Sequence, residues 1–195
     1  SGLPLADYPV PEVGATFQTS RGCYYGKCTF CSEVFRENYR LRKPERVFED
    51  MERMYNDTGI RHFYFWDSLC PPKTLKHIAK RVKESQLPLI WFAETKIEKA
   101  YLPPEFMQNL AEGGCRYLQF GFESASQRVL DLIDKDNDLP EVDQIFSNMA
   151  DAGILVCITW FIGFPTETEG EGRFGHRCGR YRTRYRIVAD RQWQG

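Results

Sequence analysis

Thr19-Ser20-Arg21-Gly22-Cys23-Tyr24-Tyr25-Gly26-Lys27-Cys28-Thr29-Phe30-Cys31 sets three cysteines within nine residues, straight after the strand-like run Gly14–Ser20. An odd number of thiols this close cannot all pair as disulfides, but they can converge on one metal centre. The count is informative. A structural zinc site normally closes with four protein ligands. A cubane iron–sulfur cluster has four irons, so three cysteines would leave one iron open to a substrate or cofactor. Spacing alone also leaves open a zinc knuckle and three unrelated buried thiols. The loop's place bears on the fold, because the carboxyl end of a strand is where a (β/α) architecture collects its active-site residues.

Outward from this loop, strand and helix patterns alternate. Gly14–Ser20, His62–Asp67, Pro88–Glu94, Arg116–Gly121 and Ile154–Phe161 are short, rich in aromatic and β-branched residues, and mostly apolar on both faces. Two-sided apolarity predicts strands buried in a parallel sheet. Between them, Val47, Phe48, Met51, Met54 and Tyr55 recur at helical spacing, as do Leu75, Ile78, Ala79 and Val82, and Val142, Ile145, Phe146 and Met149. Pro44, Pro72, Pro104 and Pro140 mark helix starts, where a missing N–H costs nothing. Gly59, Gly113 or Gly114, and Gly153 mark helix ends. The resulting order βαβαβαβαβ implies right-handed crossovers and a parallel α/β sheet. A partial (β/α) barrel and a doubly wound sheet both fit it. A full eight-stranded barrel typically takes about 250 residues, more than the 195 present. No Gly-x-Gly-x-x-Gly run follows the first strand, which argues against a dinucleotide fold.

Length and composition predict one main domain. The formal net charge of -1 gives no support to nucleic acid or a membrane surface as a partner. No apolar run reaches membrane-spanning length, and no signal segment opens the chain. Cys70, Cys115, Cys157 and Cys178 are too scattered for a disulfide framework, and a reducing, cytoplasmic location is expected. Residues 1–13, with Tyr8-Pro9-Val10-Pro11, read as a linker or N-terminal extension. Residues 14–171 read as the core. Residues 172–195 form an atypical tail with seven arginines and no lysine, read as disordered or out of frame. His176 and Cys178 in that tail are not assigned a metal.

Thr-Ser-Arg-Gly-Cys and Cys-Thr-Phe-Cys, as they stand at residues 19–23 and 28–31, resemble the cluster loop of the radical S-adenosylmethionine (radical SAM) superfamily. The similarity is greatest to the branch often fused to a cobalamin-binding domain. The first gap is one residue longer than that branch's usual Cys-x3-Cys-x2-Cys. The resemblance implies a six-unit partial barrel. About five βα units are readable, so the chain is expected to stop before the sixth.

The resemblance also implies roles. Cys23, Cys28 and Cys31 would hold a 4Fe-4S cluster, and Phe30 would lie against the adenine of S-adenosylmethionine, unless it only packs beside the cluster. Asp67 would meet the cofactor's amino group, or else cap the next helix. Glu94 would offer a polar contact, or join Lys96 in a rim ion pair. Gly121-Phe122-Glu123-Ser124-Ala125-Ser126 resembles the family's Gly-x-Glu-Ser-x-Ser segment, so Glu123 and Ser124 would reach the ribose or carboxylate. A plain helix cap by Ser124 or Ser126 is the other reading. Gly163-Phe164-Pro165-Thr166-Glu167-Thr168 resembles the family's strand-five ending, where Gly163 would let the backbone approach adenine, or simply serve a turn.

The implied activity is reductive cleavage of S-adenosylmethionine to methionine and a 5′-deoxyadenosyl radical, which abstracts hydrogen from an unassigned substrate. A flavodoxin or ferredoxin is the expected electron donor. Cobalamin, where used, is expected from a separate domain, since the cysteine loop begins near residue 20. The alternative is a non-catalytic iron–sulfur or zinc-binding module that keeps part of the fold.

Overall fold

In a computed structural model, residues 12–32 and 38–172 are described in full, and 187–191 as backbone. The chain enters on β1 (Gly14–Phe17), then forms a two-residue antiparallel ladder of β2 (Ser20–Arg21) with β3 (Arg40–Leu41). Helix α1 (Pro44–Thr58) leads to β4 (His62–Phe65), and α2 (Pro72–Ser85) to β5 (Ile90–Thr95). Next come α3 (Pro104–Glu112), β6 (Cys115–Glu123), α4 (Gln127–Leu132), α5 (Leu139–Asp151) and β7 (Leu155–Trp160). A single turn, α6 (Glu169–Gly172), and a last strand, β8 (Ile187–Arg191), complete the order.

The prolines act as expected: Pro44, Pro72 and Pro104 open their helices, and Pro140 is the second residue of α5. Asp138 caps α5, its carboxylate accepting from Glu141 N at 3.2 Å. Gly59 ends α1 at φ 73°, donating its N–H to Tyr55 O at 2.7 Å.

The main sheet runs β1-β4-β5-β6-β7-β8, every neighbour parallel. This order decides between the two topologies. Strands that add in one direction through right-handed crossovers place all helices on one face, whereas a doubly wound sheet reverses direction and covers both. Side chains alternate accordingly. Phe63, Phe65, Trp91, Ala93, Leu118, Phe120 and Phe122 point into the helical layer and are buried against Phe48, Met51, Leu75, Ile78, Met107, Ile145 and Phe146. His62, Tyr64, Phe92, Glu94, Tyr117 and Gln119 occupy the other, half-buried face.

Two features depart from expectation. The sheet does not stop at the fifth strand: Ile187–Arg191 pairs parallel with β7. Its Ile-Val-Ala run was hidden by the arginines around it. The β2–β3 ladder is too short to leave a period in the sequence. The remaining tail residues, His176 and Cys178 among them, and the expected linker up to residue 11 lie outside the described residues. Among the described residues, no helix is long and apolar enough to cross a membrane.

Candidate active site

The cysteine loop leaves β1 through two left-handed glycines, Gly22 at φ 73° and Gly26 at φ 59°, on either side of Cys23. Side chains seldom adopt these angles, so glycine lets the loop turn twice within five residues. Gly26 N–H points at Cys23 Sγ at 3.5 Å, and Cys31 N–H closes a turn on Cys28 O at 3.3 Å. Three regions of the fold fasten the loop. Asp67 receives Thr19 N–H at 2.8 Å, Thr19 Oγ1 at 2.8 Å and Ser20 N–H at 2.6 Å. Ile133 O, just past α4, accepts from Thr29 N at 3.0 Å, and Asp134 O accepts from Tyr25 OH at 2.6 Å. Glu98, after β5, accepts from Tyr24 OH.

All three thiols are free, half-buried, and on the wall of one cavity of about 180 Å³. Phe30, Glu94 and Glu123 line it too, so the structure brings these six expected residues together. The sheet adds Gln119 and Gly121 from β6 and Thr159 from β7, and Lys96 and Lys135 line the cavity as well. Phe30 is 42% exposed and packs edge-on against Phe161 at 5.2 Å.

Electrostatics in this cavity centre on two lysines. Lys135, 9% exposed, donates to Glu123 Oε1 at 2.9 Å and lies 5.9 Å from the Phe30 ring centre. Glu123 holds φ 68°, where the β6–β7 register shifts. A non-glycine residue in that region is strained, and such strain persists where surroundings over-determine it. Gly121 makes room for the pair: a Cβ there would stand 2.5 Å from Lys135 Nζ and 2.6 Å from Glu123 Oε1. Lys96, 5% exposed, donates to the carbonyls of Ile97 at 3.1 Å and Asp136 at 3.3 Å, over the Tyr25 ring at 4.6 Å. Burial lowers the Lys96 pKa. Burial raises that of Cys28, with the Lys135 ammonium opposing it. Glu94 is also raised by burial, against the hydrogen bond from Tyr64 OH at 2.8 Å.

Three expected residues stand elsewhere. Asp67 does not line the cavity, and its oxygens are taken by Thr19 and Ser20. It does not cap α2 either, whose cap is Pro71 without a side-chain bond. Ser124 is buried beside the cavity and accepts from Ser126 N at 3.1 Å, while Ser126 caps α4. Gly163 has open space around a hypothetical Cβ, and its φ of 91° is what demands glycine. Its N–H donates to Glu167 Oε2 at 2.6 Å. Glu94 and Lys96 do not pair: the carboxylate near Lys96 is Asp136, at 3.9 Å. Lys135, Gln119 and Thr159 were missed. Lys135 sits in the polar run Asp134-Lys135-Asp136-Asn137, which reads as a solvated link between helices.

Among the described residues, no three His, Cys, Asp or Glu side chains group as they would around a single ion. Three thiols spread around a cavity suit a cluster in which each thiolate meets a different iron. Two nearly buried ammonium groups on the same wall would offset thiolate charge.

A one-sided parallel sheet with a three-cysteine loop at the mouth of its first strand defines a class of cluster-bearing α/β proteins. The sequence profile of the Radical SAM superfamily matches residues 17–174, and the chain belongs to that superfamily. Its members are enzymes that use a 4Fe-4S cluster and S-adenosylmethionine. The chain is 30% identical over 174 residues to an uncharacterized methyltransferase of Pyrococcus horikoshii, covering 87% of this chain and 37% of that protein. It is 24% identical to the anaerobic magnesium-protoporphyrin IX monomethyl ester cyclase of Cereibacter sphaeroides, over 77% of this chain and 25% of the other. The chain therefore spans about a third or less of these relatives' lengths. Among solved structures, the radical S-adenosylmethionine methyltransferase TsrM of Kitasatospora setae, with cobalamin and a [4Fe-4S] cluster bound, superposes with TM-score 0.69 at 21% identity. That match covers 85% of this chain and 34% of TsrM. The cobalamin-dependent radical enzyme OxsB gives 0.67 at 18% identity, over 80% and 25%. At these identities the likeness concerns the fold.

Proposed function

We propose that this chain is the core of an enzyme that holds a 4Fe-4S cluster on Cys23, Cys28 and Cys31 and cleaves S-adenosylmethionine reductively. When bound, the cluster supplies the one electron that breaks the C5′–S bond and yields a 5′-deoxyadenosyl radical for hydrogen abstraction. The observation that carries this reading is the convergence of three free thiols, Phe30, Glu94 and Glu123 on one small cavity at the strand ends.

The chain's own residues then have definite tasks. The cysteines anchor three irons. Phe30 presents an aromatic face to the adenine, held by its contact with Phe161. Glu94 and Glu123 accept hydrogen bonds from the cofactor's amino or ribose groups, and Ser124 shapes the turn that carries Glu123. Gly163 sets the path of the chain as it leaves β7. Asp67 acts on the loop rather than on the cofactor. The reaction class follows the relatives, which are named as a methyltransferase and a cyclase. A separate domain would bring cobalamin for methyl transfer, and a flavodoxin or ferredoxin would supply electrons.

Anaerobic reconstitution with iron and sulfide, followed by electron paramagnetic resonance of the reduced protein, tests the proposal. A cubane signal that shifts on adding S-adenosylmethionine supports it. Bound zinc without a cubane signal overturns it, and a cubane signal indifferent to S-adenosylmethionine overturns the catalytic part.

A further inference from the structure

A second, wider hollow of about 1050 Å³ opens beside β1 and shares no lining residue with the cysteine cavity. Its described lining carries Arg21, Arg40 and Arg42 and no carboxylate. That is a local departure in a chain with 26 basic and 27 acidic residues. The fold gathers these arginines. Arg21 and Arg40 are register partners in the β2–β3 ladder. Gln18 links Arg21 with Arg42, its side-chain oxygen accepting from Arg21 Nε at 3.3 Å and its carbonyl from Arg42 Nη1 at 3.4 Å. Asp50, outside the lining, steadies Arg42 at 2.5 Å.

The same hollow exposes apolar surface. Trp66 is 61% exposed and Leu41 47%. The indole is not loose, because the Tyr64 ring props it at 5.2 Å. An indole face stacks on flat π systems, and guanidinium forks match carboxylate or phosphate oxygens in pairs. The volume is of the size that small-molecule sites offer.

We propose that this hollow binds a flat aromatic ring system bearing oxyanion groups, with the ring on Trp66 and the oxyanions on Arg21, Arg40 and Arg42. The ligand lies beside the cysteine cavity, since Trp66 and the cavity residue Ser68 flank Asp67 in sequence. That it is the substrate rests on the proposed function; that it binds does not.

The test is calorimetric titration of the full chain, with and without its reconstituted cluster, against four probes. These are protoporphyrin IX, its uncharged dimethyl ester, adenosine monophosphate and inorganic phosphate. The expected result is that protoporphyrin IX or the nucleotide binds at least about tenfold tighter than both the ester and free phosphate. Preference for the first identifies the oxyanions as carboxylates, and preference for the second identifies a phosphate. The double variant Arg21→Gln/Arg40→Gln is expected to lose about tenfold or more for the charged ring probe while leaving the ester unchanged. Trp66→Leu should weaken the ring probes and spare inorganic phosphate. The proposal is overturned if neither protoporphyrin IX nor the nucleotide binds tighter than both the ester and free phosphate, or if the preferred charged ring probe binds the double variant undiminished. Because binding is also read on iron-free protein, its failure is separable from failure of the cluster test.

Discussion

The Asp67 carboxylate accepts two backbone N–H groups and one hydroxyl from the two residues that lead into the cysteine loop. Burial holds its pKa above the ordinary aspartate range despite these bonds. An acid whose pKa is raised on folding favours the folded state while protonated. That contribution is complete below the unfolded value and is lost as pH rises through the raised folded value. Asp67→Asn keeps an acceptor for both N–H groups and is expected to flatten this pH dependence at small cost. Asp67→Ala leaves the two N–H groups without an acceptor and should lose about 2–4 kcal/mol. Urea unfolding at about pH 4 and about pH 7 checks both, and a wild-type pH profile in the Asn variant would refute the assignment. Cys28→Ala should keep the fold, since the thiol is only half-buried, but lose the cubane signal and its iron; retained iron would count against the ligand set. Lys96 contributes a buried positive charge whose bonds are to carbonyls. Lys96→Met is therefore expected to lower the cluster potential by about 60 mV, the one-electron equivalent of about 1.4 kcal/mol. An unmoved potential in a redox titration would sink that role. At this scale, the cysteines, Phe30, Glu94 and Glu123 were legible because each stands in a motif or at a strand end. Lys135 was not, since a lysine in a polar link has no signature until the fold brings it to Glu123.

At the scale of elements, the Gly113–Gly114 pair joins α3 to β6 for two separate reasons. A Cβ on Gly113 would collide with the backbone of Ala79 in α2, and one on Gly114, at φ 90°, with Leu89 O. Trp91 Nε1 also donates to Gly113 O at 2.7 Å from within the core. Gly114→Ala combines backbone strain with overpacking and should cost about 3 kcal/mol or more. Thermal unfolding that stays within about 2 °C of the wild type would contradict this. The sequence identified a glycine here as a helix end but could not tell which residue turns and which gives clearance, because close approach involves a helix some thirty residues away. The helices themselves were readable: proline at the start and an apolar stripe are local facts. The β2–β3 ladder and β8 were not, one for its brevity and the other for the arginines around its Ile187-Val188-Ala189 run.

On the scale of the whole molecule, strand order separates the protected centre from the edges. Strands β5 and β6 have parallel neighbours on both sides and helices over one face, while β1 pairs only with β4 among the described residues. Hydrogen exchange is expected to be slowest in β5 and β6 and fastest in β1. Uniform protection across the sheet would argue against this open, one-sided architecture. Parallel order was legible from the alternation of elements, but the choice between a one-sided and a doubly wound sheet needed the pairings themselves. Helix and strand spacing is the same in both.

The loop that carries the three cysteines is tied to Asp67, Ile133, Asp134 and Glu98 by bonds between protein groups, none of which involves a thiol. A zinc finger, by contrast, takes shape only when its ion arrives. Chelator-treated protein should accordingly keep its near-ultraviolet circular dichroism, and melting on chelation would contradict that. On the proposed ligand set, iron loading would be a late assembly step on a finished part, so a centre destroyed by oxygen would leave behind a scaffold ready to be refurbished rather than one that must be synthesised again.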